Sequence, residues 1–303
     1  MKNKNKNQKK LTPYLLIAPS IIFYLIFWIY PVLNGIKEVF TDYDGNLVLL
    51  DNFILTLNSD LSNEAFINTM IFGISSIIIQ FILALAISLL LRNKFKGSKI
   101  IMFIAMIPMA ITPTAVAILW KTGLIKEGWL NTVLLALNII DKPLVFLNVE
   151  GLKAVILILL IDTWTVVPSV MIILIAGLQN INKEVEEAAY IFGASKMEIL
   201  KDIILPMLKP TIITAVILRL IAALQVWNIA VMVLGYGKAP FLVERVAFYV
   251  EMVPGLTEST KIAFTYSFIT TIIVLITTMI YLKVSNKNRR MVVWWKVVLF
   301  GKL

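Results

Sequence analysis

Residues 65–91, AFINTMIFGISSIIIQFILALAISLLL, contain no charged side chain. A stretch of that length and composition suits a helix crossing a hydrocarbon core of about 30 Å, which takes about 20 apolar residues. Further apolar segments lie at about 13–33, 100–120, 154–178, 211–234 and 262–282. Backbone polar groups in lipid must pair within their own segment, so all six are expected to be helices. The composition agrees: 15% of residues are charged and 59% hydrophobic, whereas soluble domains carry about 25% charged residues. The expected fold is an all-α membrane protein with six transmembrane helices.

The net charge of +10 is distributed unevenly along the chain. One set of alternating stretches holds Lys2, Lys4, Lys6, Lys9 and Lys10; Arg92, Lys94, Lys96 and Lys99; Lys183, Lys196, Lys201 and Lys209; and six cations from Lys283 to Lys302. The other set, the external loops 34–64, 121–153 and 235–261, holds eight, and Arg219 falls inside a helix. The positive-inside rule therefore places both termini in the cytoplasm, and the basic excess reflects topology rather than nucleic-acid binding. The start, MKNKNKNQKK, is basic, but no small-residue cleavage site follows, so the first helix is read as retained. The expected organisation is a basic tail over 1–12, a first helix with its external loop over 13–63, a transmembrane domain over 64–282 and a tail over 283–303. That last tail, with RRMVVWWKVVLFGKL, reads as an interfacial anchor, a docking segment being the alternative.

Chemistry of the usual enzymatic kinds is poorly supplied. Without Cys or His there is no thiol nucleophile, no imidazole base and no common metal ligand, so neither a catalytic set nor a metal site is expected. A phosphate-binding loop needs G-x-x-x-x-G-K-[ST]. Its best counterpart is Gly237-Lys238, where Ala239 follows and Met232 occupies the place of the first glycine. Energy from ATP must therefore come from elsewhere than this chain.

Two ionisable residues fall at membrane depth, Asp162 and Arg219. At about 1.5 Å per residue their heights differ by only about 6 Å, so they can pair; a structural ion pair and a substrate role are both open. Gln225 and Asn228, three apart, are expected on one helical face, with Trp227 adjacent in sequence but turned about 100° away, and Gln80 and Trp164 are further polar or aromatic candidates. Such amides and indoles suit a sugar, and hydrogen bonds that merely join helices are the alternative.

The segment 180–210 interrupts the apolar pattern. Asn182 to Phe192 carries Val185, Ala188, Ala189 and Phe192 at helical spacing opposite Glu184 and Glu187, which predicts a short amphipathic helix. Gly193 suits a left-handed stop, and Ser195 with Glu198 forms the S-x-x-E box that opens a second helix through Leu205. Pro206 and Pro210 mark the approach to the fifth span. Taken alone, the segment could be a cytosolic loop lying on the membrane.

The order Glu187-Ala188-Ala189, Gly193-Ala194-Ser195, then Ile203, Leu205-Pro206 and Pro210 resembles the signature loop of permease subunits of binding-protein-dependent ATP-binding-cassette importers. PYLLIAPSIIFYLIFWIYPVLNGIKEVFTDYDG and the segment from Lys96 to Gly123, with Pro108 and Trp120, are similar to the carbohydrate-uptake branch. Phe192 stands where the family has an acidic residue, and LGYGKAP keeps only part of its glycine-rich turn. The resemblance implies a type I importer permease fold in the cell membrane. Its coupling helix at Glu187, Ala188, Ala189, Phe192, Gly193, Ala194 and Ser195 would fit a cleft in a cytoplasmic ATPase. It also implies a path lined by the fifth helix, with Gln80, Trp164, Gln225, Trp227 and Asn228 as candidates. The implied partners are a second, different permease subunit, two ATPase subunits, an extracytoplasmic solute-binding protein and membrane lipid. The implied cargo is a sugar or oligosaccharide. Alternatives are an importer for glycerol phosphate or a polyamine, and a proton-coupled secondary transporter built around Asp162.

Overall fold

The computed structural model describes residues 16–93, 95–253, 255 and 257–300, with 257 and 286–300 as backbone alone. The basic tail over 1–12 lies outside the described residues, as do the side chains on which the anchor reading of the last segment rests. Among the described residues the regular structure is helical, apart from one isolated bridge between Thr41 and Leu47. The helices are α1 (Leu16–Val39), α2 (Asp51–Leu57), α3 (Ser62–Arg92), α4 (Ser98–Met106), α5 (Pro113–Leu124) and α6 (Trp129–Ala136). They continue with α7 (Gly151–Gln179), α8 (Lys183–Ile191), α9 (Lys196–Ala223), α10 (Asn228–Leu234), α11 (Leu242–Glu251) and α12 (Thr257–Phe300).

Five helices are long and apolar enough to cross a membrane: α1, α3, α7, α9 and the Glu258–Ser285 part of α12. A sixth crossing requires α4, its short 3-10 extension Ile107–Ala110 and α5 to count as one span. This pair is bent by 98°, whereas the apolar run 100–120 predicts one straight helix. Pro113 accounts for the break, because the residue before a proline is pushed toward extended backbone. Thr112 adopts φ −64°, ψ 148° and caps α5, its hydroxyl accepting from Ala115 N–H at 3.4 Å.

Other prolines sit within continuous helices, Pro168 in α7 and Pro210 in α9 among them, and two more follow a widened turn. Pro31 and Pro206 each sit two residues beyond a short π-helical segment, Leu25–Ile29 and Ile199–Ile204. A proline ring normally clashes with the carbonyl four residues earlier; the wider turn displaces that carbonyl and lets the helix pass. The predicted stop near Pro206 is therefore absent, and the fifth span shifts from 211–234 to Lys196–Ala223. The chain then leaves helix at Leu224–Trp227, with Trp227 at φ −163°, before α10 begins. Gln225 and Asn228 consequently do not share one helical face: Gln225 lies in the turn and Asn228 opens α10. Burial explains the break, since it seats Val226 in an apolar cluster with Ala223 and Ala230.

The chain divides into two packed units. The first joins residues up to 59 with 246–268. Within it, Asn52 donates to the carbonyls of Val39 (2.9 Å) and Thr41 (3.0 Å), and Lys261 donates to Glu38 (2.6 Å) and the Thr41 hydroxyl (3.0 Å). Phe40, Phe53 and Phe268 pack ring against ring.

The second unit, 60–245 with 269 onward, is built on α3 and α7, its most extensive helix pair. The buried stripe of α3, including Ala65, Thr69, Gly73, Ser76, Ala84 and Ser88, is small at almost every turn, which lets the two backbones approach. Gly177 of α7 serves α9 in the same way: a Cβ there would lie 2.4 Å from Thr211 Oγ1 and 2.7 Å from a Leu208 methyl. Two apolar clusters fill this unit. One gathers Phe72, Val116, Ile158, Ala223, Val233 and Phe241; the other gathers Ala84, Met171, Leu174, Leu208 and Ala215.

Candidate functional site

Between the two clusters runs a polar seam. Along α3 it falls at Gln80, between Phe72 and Ala84; along α7 at Asp162, between Ile161 and Val167; along α9 at Arg219, between Ala215 and Ala223. At this seam Arg219 Nη2 lies 2.5 Å from Asp162 Oδ2, and Gln80 Nε2 donates to the same oxygen at 2.8 Å and to Thr163 Oγ1 at 3.3 Å. Gln80 is fully buried, and the Arg219 and Asp162 side chains are 8% and 14% exposed. Charges at this depth are expensive unless paired, so three helices are tied together where neither apolar cluster reaches. Gln80 Oε1 and Arg219 Nε have no hydrogen-bond partner there. The structure thus draws Gln80 to the ion pair, a link that its place in an otherwise apolar run gives no means of seeing.

Trp164, two residues from Asp162, is partly exposed and meets Trp120 edge to face, with ring centroids 5.8 Å apart. Trp120 in turn lies 5.6 Å from Trp129, whose indole N–H donates to the Leu119 carbonyl. Trp120 Nε1 and Asn228 Oδ1 are buried without partners. Gln225 is exposed and Trp227 half-buried. Trp120 and Trp129 complete an aromatic group: the short connection 125–128 folds α6 back beside the end of α5, which brings the two indoles together.

The segment LGYGKAP closes over the starts of α3 and α7. Asn68 donates to the Pro240 carbonyl (3.1 Å), Thr69 Oγ1 accepts from Leu242 N–H (3.0 Å), and Gly151 N–H donates to the Lys238 carbonyl (3.1 Å). Lys238 also pairs with Glu150, while Glu244, buried against Arg245, accepts from Gly237 N–H at 2.9 Å.

At the opposite ends of these helices stands α8. Asn182 caps it by accepting from Glu184 N–H (3.1 Å), and Gly193 ends it at φ +83°, a conformation suited to glycine. Ser195 and Glu198 form the full reciprocal capping box that opens α9. Glu186 pairs with Arg92 at the end of α3. Ala189 and Ala194 pack on the apolar cluster formed by Ala84, Leu174 and Leu208, which leaves Ala188 exposed. Tyr190, Ile191 and Phe192 project outward, Phe192 at 89% exposure. A short helix anchored at both ends thus displays an uncovered apolar tip. Among the described residues no group of three or more Asp, Glu, His or Cys is placed to hold a metal ion.

Residues 81–291 match the family of binding-protein-dependent transport system inner membrane components. The chain belongs to this family. It is accordingly a multi-pass permease of the cell membrane. The trehalose/maltose transport system permease protein MalF of Thermococcus litoralis is 30% identical over 295 residues, covering 95% of this chain and 98% of that protein. The lactose transport system permease protein LacF of Rhizobium radiobacter is 30% identical over 221 residues, 71% of this chain and 73% of that protein. A chain in the crystal structure of a bacterial alginate importer, in complex with a periplasmic protein bound to alginate pentasaccharide, superposes with a TM-score of 0.82. The two are 20% identical, with 95% of this permease and 98% of that chain covered, a likeness of fold.

Proposed function

We propose that this permease carries a sugar or oligosaccharide, received from an extracytoplasmic solute-binding protein, through a path it forms with a second, different permease subunit. Two cytoplasmic ATPase subunits drive the cycle, one of them seated on α8. The reading rests above all on the uncovered tip Tyr190-Ile191-Phe192, held out by two capped helix ends that leave it no partner within its own apolar cluster. In this scheme both termini and α8 face the cytoplasm. ATP closes the ATPase pair, α8 and its counterpart move together, and the path opens toward the loaded binding protein.

The names of relatives that transport trehalose, maltose and lactose support a saccharide cargo. Trp164, Gln225, Trp227 and Asn228 are the residues offered for the path: an indole face covers the apolar side of a sugar ring while an amide reaches its hydroxyls. Asp162 is engaged by both Arg219 and Gln80, which leaves the proton-coupled reading without the free carboxyl it requires.

Because the chain has no cysteine, Ala188→Cys gives a single reactive site. Disulfide crosslinking to cysteines placed on the co-purified ATPase should trap that subunit, and the solute-binding protein recovered with the complex should release a saccharide. Normal uptake by an assembly in which Ala188→Cys never captures an ATPase would refute the docking, and a non-saccharide ligand in the binding protein would refute the cargo.

A further inference from the structure

The end of α3, the start of α4 and the last turns of α7 border a half-open cavity of about 880 Å³. Its wall combines two chemistries. Leu91, Met102 and Leu178 are apolar, whereas Arg92, Lys99 and Lys183 are cationic, and no carboxylate is among the lining residues. Arg92 gives one guanidinium nitrogen to Glu186. Lys99 and Lys183 are exposed and form no ion pair among the described residues. The first turn of α4 holds no acidic residue either, so nothing on that helix offsets the positive field.

An inorganic anion would satisfy the lysines and leave the apolar wall wet. A purely apolar guest would fill the wall and leave the lysines without a counter-charge. The volume falls within the range of about 300–1,000 Å³ typical of sites for organic ligands, far more than a lone anion needs. The cavity also lies at the ends of two spanning helices, the level at which basic residues meet lipid headgroups. We propose that it seats the headgroup and upper acyl chains of an anionic diacyl phospholipid, with the phosphate at Lys99 and Lys183 and the chains leaving along Leu91, Met102 and Leu178. Lys183 opens α8 and Arg92 ties to Glu186 within it, so the bound lipid abuts the mount of α8. The assignment is independent of what the permease carries.

Native mass spectrometry of the intact importer, released from detergent after equilibration with phosphatidylglycerol or phosphatidylcholine, measures the retained lipid. The wild type should keep phosphatidylglycerol in preference to phosphatidylcholine, and Lys99→Ala with Lys183→Ala should reduce that retention about thirtyfold. The control pair Lys96→Ala with Lys201→Ala removes the same charge from exposed residues that do not line the cavity and should leave retention unchanged. Equal losses in the two double variants would overturn the proposal. So would equal retention of the two lipids, or displacement of phosphatidylglycerol by an excess of inorganic phosphate, which would mark a site for free anions.

Discussion

Replacing Arg219 with Leu removes one partner of a pair that sits between two apolar clusters, and the structure gives the expected scale. Truncating one side of a buried ion pair typically destabilises by about 3–5 kcal/mol, because the other charge stays buried and uncompensated. Gln80 still donates to Asp162 at 2.8 Å, which places Arg219→Leu toward the lower end of that range. Asp162→Leu leaves Arg219 with no acceptor and belongs at the upper end. The double variant abolishes both charges, and exchange of a whole buried pair for apolar groups is often neutral or stabilising. What remains is Gln80, which loses its better acceptor and keeps only Thr163 Oγ1 at 3.3 Å, a deficit of about 1–3 kcal/mol. The double variant should therefore be more stable than either single one, and adding Gln80→Leu should recover part of the remainder. Thermal unfolding of the detergent-purified importer, followed by the loss of its monodisperse peak in size exclusion, ranks the four proteins. Destabilisation of the double variant equal to the sum of the two singles would refute the coupling. Uptake measured in parallel separates the structural role from a transport role: a double variant that is stable but inactive would assign the seam to the cycle itself.

Phe192→Ala should weaken ATPase association about tenfold to a hundredfold, the range for burying an aromatic side chain worth about 1.5–3 kcal/mol, while leaving the thermal stability of the permease unchanged because the ring is exposed in the chain alone; titration of purified ATPase into the permease reads the first and a melting curve the second. Gly177→Val should lower stability by about 1–3 kcal/mol, since its Cβ enters the space of Thr211 and Leu208, and a melting temperature equal to wild type would refute the close approach of α7 and α9. In the exposed turn at 41–47, the Asn46 side chain and backbone N–H hold the Asp42 carboxyl below its ordinary range. The turn is therefore fully supported above the ordinary Asp range and loosens as pH falls through the lowered value. Asn46→Ala should move that titration upward, as read by carbon-detected NMR of labelled Asp, and an unmoved titration would count against the side-chain contribution.

Short-range chemistry makes part of the site legible in the order of residues alone. Asn182, Gly193 and the Ser195–Glu198 box lie within a few residues of the groups they cap, so the sequence carries their geometry. Asp162 and Arg219 are legible for a different reason: charges at membrane depth are rare, and helical rise fixes their height. Gln80 is not, because its bond to Asp162 depends on how α3 rotates against α7. The break at Leu224–Trp227 is likewise hidden, since it is the burial of Val226 that draws the chain out of helix, and this separates Gln225 from Asn228. Helices α2, α6 and α11 fall in stretches whose turn residues mask them. Asn131 illustrates the point: its side chain is tied to the backbone of Ile125, Lys126 and Leu144, contacts spread over a loop with no periodic pattern.

The π turn before Pro206 has a consequence at a distance. Because it lets one rod run from the Ser195 cap to the seam, Arg219 stands about 36 Å along the axis from that cap at the usual helical rise. A swing of about 5° pivoting at the guanidinium carries the capped end sideways by about 3 Å over that span. A displacement of atomic size at the rim thus corresponds to a rotation small enough for the salt link at the centre to survive.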